Sequence, residues 1–245
     1  MTATIFITNG DVEWNQTIAI YYLNKGYNII LHFRDTHRQI HFKEKIRNSN
    51  SENLCTMVNK KIDEMVIKEN LEKLDDRFSN INVLIHGNEM FDEKIGFLER
   101  ESSMALKIKK HLNDIFIFNK AITTKMVKQK KGNIIYPIIY DVLNQAGYQS
   151  SPILNNAKIS LMKSLSRELT AFKININVMT FGYYDNDFDR AKKKEMKNIL
   201  EIFSLKPQLL QLTNMIPAMD ILVEPPVPII SGENIHIGAG IESHI

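Results

Sequence analysis

The chain has 245 residues, of which 44% are hydrophobic and 24% charged, so it can bury a full core and falls in the ordinary range for a globular protein. A net charge of +3, from 31 basic and 28 acidic residues, is too weak a field to argue for nucleic acid. The single cysteine, Cys55, excludes an internal disulfide. No apolar run reaches the roughly 18 residues that would argue for a membrane span, and the N-terminus lacks a basic, signal-like start. These features predict a soluble cytoplasmic protein with no membrane or nucleic-acid partner.

Short apolar runs alternate with helical patterns along the chain, the signature of βαβ units and a parallel sheet. Strands are predicted at residues 4–8, 28–32, 54–58, 82–86, 133–139, 175–180 and 234–237. Several are continuously apolar, as strands covered on both faces should be. Between the first two, Trp14, Ile18, Tyr22 and Leu23 recur at helical spacing. A later helix carries Leu161, Met162, Leu165, Leu169 and Phe172 on one face. Ser151 followed by Pro152 supplies its N-cap and first residue. Residues 154 and 158 then lie one turn apart on one face. Residues 187–229 are long for a strand-to-strand connection; they begin highly charged and end Pro225-Pro226-Val227-Pro228. They form either a functional lid or a solvated helix packed on the sheet. The expected fold is one α/β domain over 1–245, a doubly wound parallel sheet of about seven strands with helices on both faces.

His37 and His41 have i, i+4 spacing, but no third metal ligand lies nearby, so they read as surface residues. Lys125, Lys128, Lys130 and Lys131 suit a helix C-terminus. Tyr183 and Tyr184 line a pocket or pack in the core.

Several segments, in order, resemble the short-chain dehydrogenase/reductase family, most closely its pteridine and dihydromonapterin reductase branch. Ser151-Pro-Ile-Leu-Asn-Asn-Ala-Lys158-Ile-Ser-Leu161 resembles the family's Tyr-x-x-x-Lys helix, with Leu154 where the tyrosine would stand. Asn82-Val-Leu-Ile-His-Gly-Asn-Glu89 falls where the family has Asn-Asn-Ala-Gly. Leu112-Asn113-Asp114 is similar to the helix carrying the catalytic Asn. Gly132-Asn-Ile-Ile135 is similar to the strand that leads to the catalytic Ser or Asp. Asn175 to Asp185 resembles Arg-Val-Asn-x-x-x-Pro-Gly, and Ile230 to Gly240 the closing Ile-Thr-Gly-Gln segment.

The resemblance implies that Asn113 and Lys158 are retained catalytic residues, whereas Leu154 and Ile139 replace the Tyr acid and its Ser or Asp partner. Loss of general acid catalysis is worth roughly 10²–10⁴-fold, so ordinary carbonyl reduction should be lost. Tyr148, after Gly147, is the candidate replacement donor, with Tyr140 behind it. The implied cofactor is NADP(H), contacted by Thr8, Gly10, Trp14, Arg34, Asn59, His86, Gly87, Lys158 and Gly182. The family's Thr-Gly-x-x-x-Gly-x-Gly turn reads Thr8-Asn9-Gly10-Asp11-Val12-Glu13-Trp14-Asn15 here, with Asn9, Glu13 and Asn15 for its glycines. Asn9 tolerates left-handed backbone, so the turn itself should survive. Glu13 and Asp11 have the wrong sign for a dinucleotide. Arg34 argues the other way, since Arg after the second strand suits a 2′-phosphate. Two outcomes follow: NADP(H) binding retained through Arg34, or binding weakened or lost. The family also implies a dimer or tetramer joined through the Asn113 and Lys158 helices and the last strand. An active relative is a further candidate partner.

Overall fold

The computed structural model describes residues 2–46, 51–93, 103–139, 150–182, 184–185, 189–201, 209–227 and 229–238. Seven parallel strands form one sheet: β1 (Thr4–Ile7), β2 (Asn28–Phe33), β3 (Leu54–Val58), β4 (Ile81–Ile85), β5 (Gly132–Ile139), β6 (Ile174–Phe181) and β7 (Asn234–Ile237). Their order is β3-β2-β1-β4-β5-β6-β7, so the chain reverses direction across the sheet between β1 and β4. Every predicted strand is present to within a residue or two at each end. This is the doubly wound, Rossmann-like arrangement, in which ligands bind beyond the carboxyl ends of the strands at the reversal point.

The helices that matter here are α1 (Glu13–Asn24), α2 (Thr36–Lys45), α3 (Glu64–Glu72) and α4 (Asp76–Ser79), then α5 (Ser103–Gln129) and α6 (Pro152–Leu169). Three more follow: α7 (Arg190–Leu200), α8 (Leu212–Met215) and α9 (Asp220–Val223). Ser151 caps α6, its hydroxyl accepting from the Leu154 N–H at 3.2 Å, and Pro152 opens the helix.

Side chains alternate between the two faces, as strand geometry requires. On one face Ile5, Ile7, Ile29, Leu31, Ile135 and Phe181 pack with α1 residues such as Ile18 and Tyr22. On the other, Phe6, Ile30, Leu84, Ile134 and Val178 pack with Phe118 and Ile122 of α5 and Met162 of α6. Each such fully buried side chain contributes roughly 1.5–3 kcal/mol of transfer free energy. Proline inside a central strand is unusual, because it cannot donate to the ladder. Pro137 is accommodated because the β4–β5 pairing ends at Ile85 and Ile135. Its missing N–H falls beyond that ladder, and its carbonyl instead accepts from Asn88 Nδ2 at 3.3 Å.

Part of segment 187–229 belongs to the core. Met215, Ile216, Met219, Leu222 and Val223 join the α1 face, and Asp220 accepts from Tyr21 Oη and Lys25 Nζ on α1, each at 2.8 Å. Tyr184 is also buried in this cluster, as its core reading expected; Tyr183 lies outside the described residues.

Candidate functional site

At the reversal point, β1 runs into a turn whose backbone is fixed by its own side chains. Asn9 adopts φ 56°, the left-handed conformation that Asn tolerates, so the turn survives without its glycine. Asn9 Nδ2 donates to the Gly87 carbonyl at 2.7 Å, and the Gly87 N–H donates to Thr8 Oγ1 at 3.0 Å. A Cβ on Gly87 would lie 2.1 Å from the Thr8 carbonyl oxygen, so only glycine fits there. Gly10 is equally confined: its N–H donates to the His32 carbonyl at 2.7 Å, and an added Cβ would meet that oxygen at 2.9 Å.

Asn15, at the third replaced glycine, is fully buried. Its amide nitrogen donates to the carbonyls of Asn9 and Asn88, both at 2.8 Å, and its oxygen accepts from the Asn88 N–H at 3.0 Å. One side chain therefore ties the β1–α1 turn to the loop after β4, in space that a glycine would leave open. Glu13, by contrast, points to solvent, 3.5 Å from Lys45.

Three carboxylates then take up the cationic and N–H donors of the crevice. Asp11 accepts from the backbone N–H groups of Arg34 at 2.8 Å and Asp35 at 3.0 Å. The Arg34 guanidinium pairs across the crevice with Asp114 of α5, and not with Asp35, which caps α2. Burial raises the Asp114 pKa, opposed by the positive charge of Arg34. Glu89 forms an ion pair with Lys158, and the two side chains are only 5% and 1% exposed.

Beneath lies a satisfied polar stack. His86 and Tyr136 rings are parallel within 6° at 4.7 Å. His86 Nε2 is 2.9 Å from Asn119 Oδ1, and Asn119 Nδ2 donates to Tyr136 Oη at 2.7 Å. Burial lowers the His86 pKa to about 4, keeping the imidazole neutral at pH 7. Burial likewise pushes the Tyr136 hydroxyl up, so it stays protonated. His111 borders the crevice from α5 with Asp114, Ile115 and Phe118, and burial lowers its pKa as well.

Of the positions read from the sequence, Thr8, Arg34 and His86 line this crevice, with Gly10 and Gly87 shaping its floor and Lys158 paired within it. Asn113 does not face it: the residue is exposed, and the inward face of α5 is His111, Asp114, Ile115 and Phe118, the i, i+3, i+4, i+7 set. Trp14 is buried edge-on against Phe181, with ring centroids 5.2 Å apart. Asn59 donates its N–H to the Phe33 carbonyl and accepts from Asn70. The Gly182 N–H donates to the Ile237 carbonyl at 3.0 Å. Leu154 and Ile139 are each 1% exposed; the Ile139 carbonyl accepts from Asn155 Nδ2 at 2.7 Å and Ser150 Oγ at 3.0 Å. Tyr140, Gly147 and Tyr148 lie outside the described residues. Among the described residues, no cluster of three metal-ligating side chains occurs, and no helix is long and apolar enough to cross a membrane.

Sequence reasoning missed Glu89, His111, Asn119 and Glu93. Glu89 stood in plain view, at the last position of a motif that ends in glycine. A buried lysine needs a carboxylate, and that requirement pointed to it. Glu93 accepts from the Ser151 hydroxyl and from the Ile153 N–H at 2.8 Å, placing a negative charge at the N-terminus of α6.

A doubly wound sheet, a short turn after β1 aimed at the reversal point and a lysine nearly two turns into α6 define a Rossmann-like α/β protein. The short chain dehydrogenase family model matches residues 3–197, and the chain belongs to that family. It is 22% identical to the 3-oxoacyl-[acyl-carrier-protein] reductase FabG of Staphylococcus epidermidis, over 98% of this chain and 99% of that one. Against FabG of Vibrio cholerae the identity is 21%, over 69% and 70%. Two solved structures share the fold with a TM-score of 0.75 and 15% identity. One is a short chain dehydrogenase/reductase family oxidoreductase from Burkholderia thailandensis, matched over 98% of this chain and 92% of that one. The other is YwfH, an NADPH dependent reductase involved in bacilysin biosynthesis, matched over the full length of both. ElxO with NADP bound matches at TM-score 0.70 and 18% identity, over 98% of each chain.

As placed, the residues of the crevice do not fit a dinucleotide in the manner of this fold class. Arg34 is committed to Asp114 and Lys158 to Glu89, and the Asn15 amide fills the glycine-lined approach to α1.

Proposed function

We propose that this protein is a diverged short-chain dehydrogenase impaired in ordinary hydride transfer. It acts as a binding or regulatory subunit, in a self-associated dimer or tetramer or beside an active relative, in the cytoplasm. One observation carries the reading. The side chain one turn before Lys158 is Leu154, which has no proton to give and is sealed in the interior. Ile139, the position that the resemblance aligns with the family's Ser or Asp, likewise has no polar group and is buried. What the site's own residues do is hold one another: Lys158 is neutralised by Glu89, and the His86–Asn119–Tyr136 stack is internally satisfied.

Self-association is supported by large apolar side chains exposed on the two helices named for it: Leu106 and Phe116 on α5, and Ile153 on α6. Such residues scattered singly are ordinary; their placement on this pair of helices favours a shared interface. Sedimentation velocity reads it directly: a dimer or larger species is expected, weakened by Phe116→Lys, and a monomer at all concentrations contradicts it.

The functional test is NADPH oxidation by the purified protein over a panel of carbonyl and pterin-like substrates. Neither the natural protein nor Leu154→Tyr combined with Ile139→Ser should turn over. Efficient turnover by the natural protein contradicts the reading. Efficient turnover by the double variant alone would place the whole defect in the acid and its partner.

A second reading is a working NADPH-dependent reductase of a carbonyl or pterin-like substrate with a non-standard proton donor. It is favoured by His111, a titratable ring bordering the crevice, alongside Tyr148 as the donor named from sequence. It requires an activity that His111→Phe or Tyr148→Phe abolishes.

A further inference from the structure

We propose that Glu89, seconded by Asp11 and Asp114, is an internal ligand: carboxylates of this chain occupy the donors of the dinucleotide crevice and hold it shut. The inference deepens the proposed function and rests on its claim that this site no longer serves hydride transfer.

Four observations converge. First, the three carboxylates come from three separate elements: the β1–α1 turn, the loop after β4, and α5. Their donors come from the end of β2 and from α6. The contacts therefore stitch together the walls of the crevice on either side of the β1–β4 reversal, where this class of sheet receives its ligands.

Second, each carboxylate holds a donor suited to an anionic or hydroxylic ligand. Asp11 takes two backbone N–H groups at the end of β2. Asp114 takes the Arg34 guanidinium, the group that would meet a 2′-phosphate. Glu89 takes the buried Lys158 ammonium. An incoming phosphate must therefore displace a carboxylate and then lie beside it, like charge against like.

Third, the Glu89–Lys158 pair is the innermost of the three and is almost wholly removed from water. An ion pair there is screened far less than one at the surface. Glu89 is thus the controlling contact, and Arg34–Asp114, partly open to solvent, the outer one. Fourth, Asn15 places a saturated amide in the space a glycine would leave. The closure extends across the crevice, with Glu89 as its controlling contact.

The test is calorimetric titration of the full-length protein with NADPH and with NADP+, for the natural chain and for Glu89→Gln, Asp114→Asn and their combination. These substitutions keep size and a hydrogen-bonding oxygen while removing the negative charge, so the fold has its best chance of surviving; circular dichroism and a melting curve check this for each variant. Glu89→Gly, which also empties the volume, is the second route. The natural chain should show no saturable binding at millimolar cofactor. The Glu89→Gln, Asp114→Asn combination or Glu89→Gly should gain at least tenfold in affinity for NADPH. The proposal is overturned if the natural chain binds NADPH at micromolar concentration, or if folded variants remain as blind to it as the natural chain.

The functional reading is scored separately, by turnover. A variant that binds NADPH without oxidising it in the presence of carbonyl substrates upholds both ideas. A variant that binds and reduces a carbonyl compound upholds the internal ligand and sinks the claim of lost hydride transfer.

Discussion

The packed faces of the sheet and the crevice at its C-terminal edge are built on different principles. On the faces, strand after strand carries the apolar alternation that a parallel sheet between two helical layers demands. At the edge, the residues that would meet a cofactor meet each other. The difference teaches that the fold does not depend on the ligand. Burial on the faces stabilises the sheet whatever happens at the strand ends, so the crevice can be rewired at little structural cost. There Asp11, Asp114 and Glu89 give partners to the N–H groups of residues 34 and 35, to Arg34 and to Lys158, as the cost of an unpartnered buried polar group requires.

The largest effect that would break this comparison is expected at the buried ion pair. Lys158→Met leaves the Glu89 charge uncompensated and should cost about 3–5 kcal/mol in urea unfolding, whereas Lys158→Met with Glu89→Leu should recover most of it. A small loss in the single variant would mean that the pair is solvated and the crevice open.

Next comes Leu154, at the position that the resemblance aligns with the family's tyrosine. If Leu154 now belongs to the core, Leu154→Ala should cost roughly 2–5 kcal/mol. A surface-like loss under half of one kcal/mol (~0.5) would return that position to the crevice.

Acid sharpens the contrast further. His86 is held neutral, its pKa lowered from 6.5 to about 4 by burial. In the unfolded chain it protonates first. Its contribution is therefore fully present above pH 6.5 and is lost progressively down to about pH 4, a fall of roughly 3 kcal/mol. Chemical denaturation across that window, compared with His86→Gln, isolates this part.

On the packed side, His32 is one of several buried side chains with an unpartnered polar atom among the described residues, together with Trp14 and Tyr27. Buried against Phe118, it has neither ring nitrogen paired among the described residues. His32→Leu should raise stability by about 1–2 kcal/mol, the penalty of an unmet polar group. A loss instead would point to an undescribed partner. The smallest effect is expected at the α6 cap, where Ser151→Ala should cost about 1 kcal/mol.

The sheet was readable in the sequence because strands buried on both faces are written as runs such as Ile29-Ile30-Leu31, and because the Ser151-Pro152 start is a local signal. The turn after β1 was also readable, since the left-handed tolerance of Asn9 is a property of the residue itself. The crevice was readable only in part. Leu154 stands out through the resemblance, because it sits four residues before Lys158 in a recognisable segment, whereas Ile139 rests on the alignment beyond Gly132–Ile135. The pairings that fill the space could not. Glu89 and Lys158 are 69 positions apart, Arg34 and Asp114 are 80 apart, and Asn15 reaches Asn88 across 73. Such contacts are set by the tertiary meeting of elements and leave no local pattern. Asn113 matches the family's Asn in residue type alone; the 111, 114, 115, 118 spacing turns another face of α5 inward and leaves Asn113 exposed.

The most direct test of the central claim, that the chain's own side chains fill the place of the cofactor, is a calorimetric titration of the natural protein with NADPH. The account predicts no saturable heat up to millimolar nucleotide. A micromolar dissociation constant, abolished by Arg34→Ala, would contradict it and restore the protein to the working reductases.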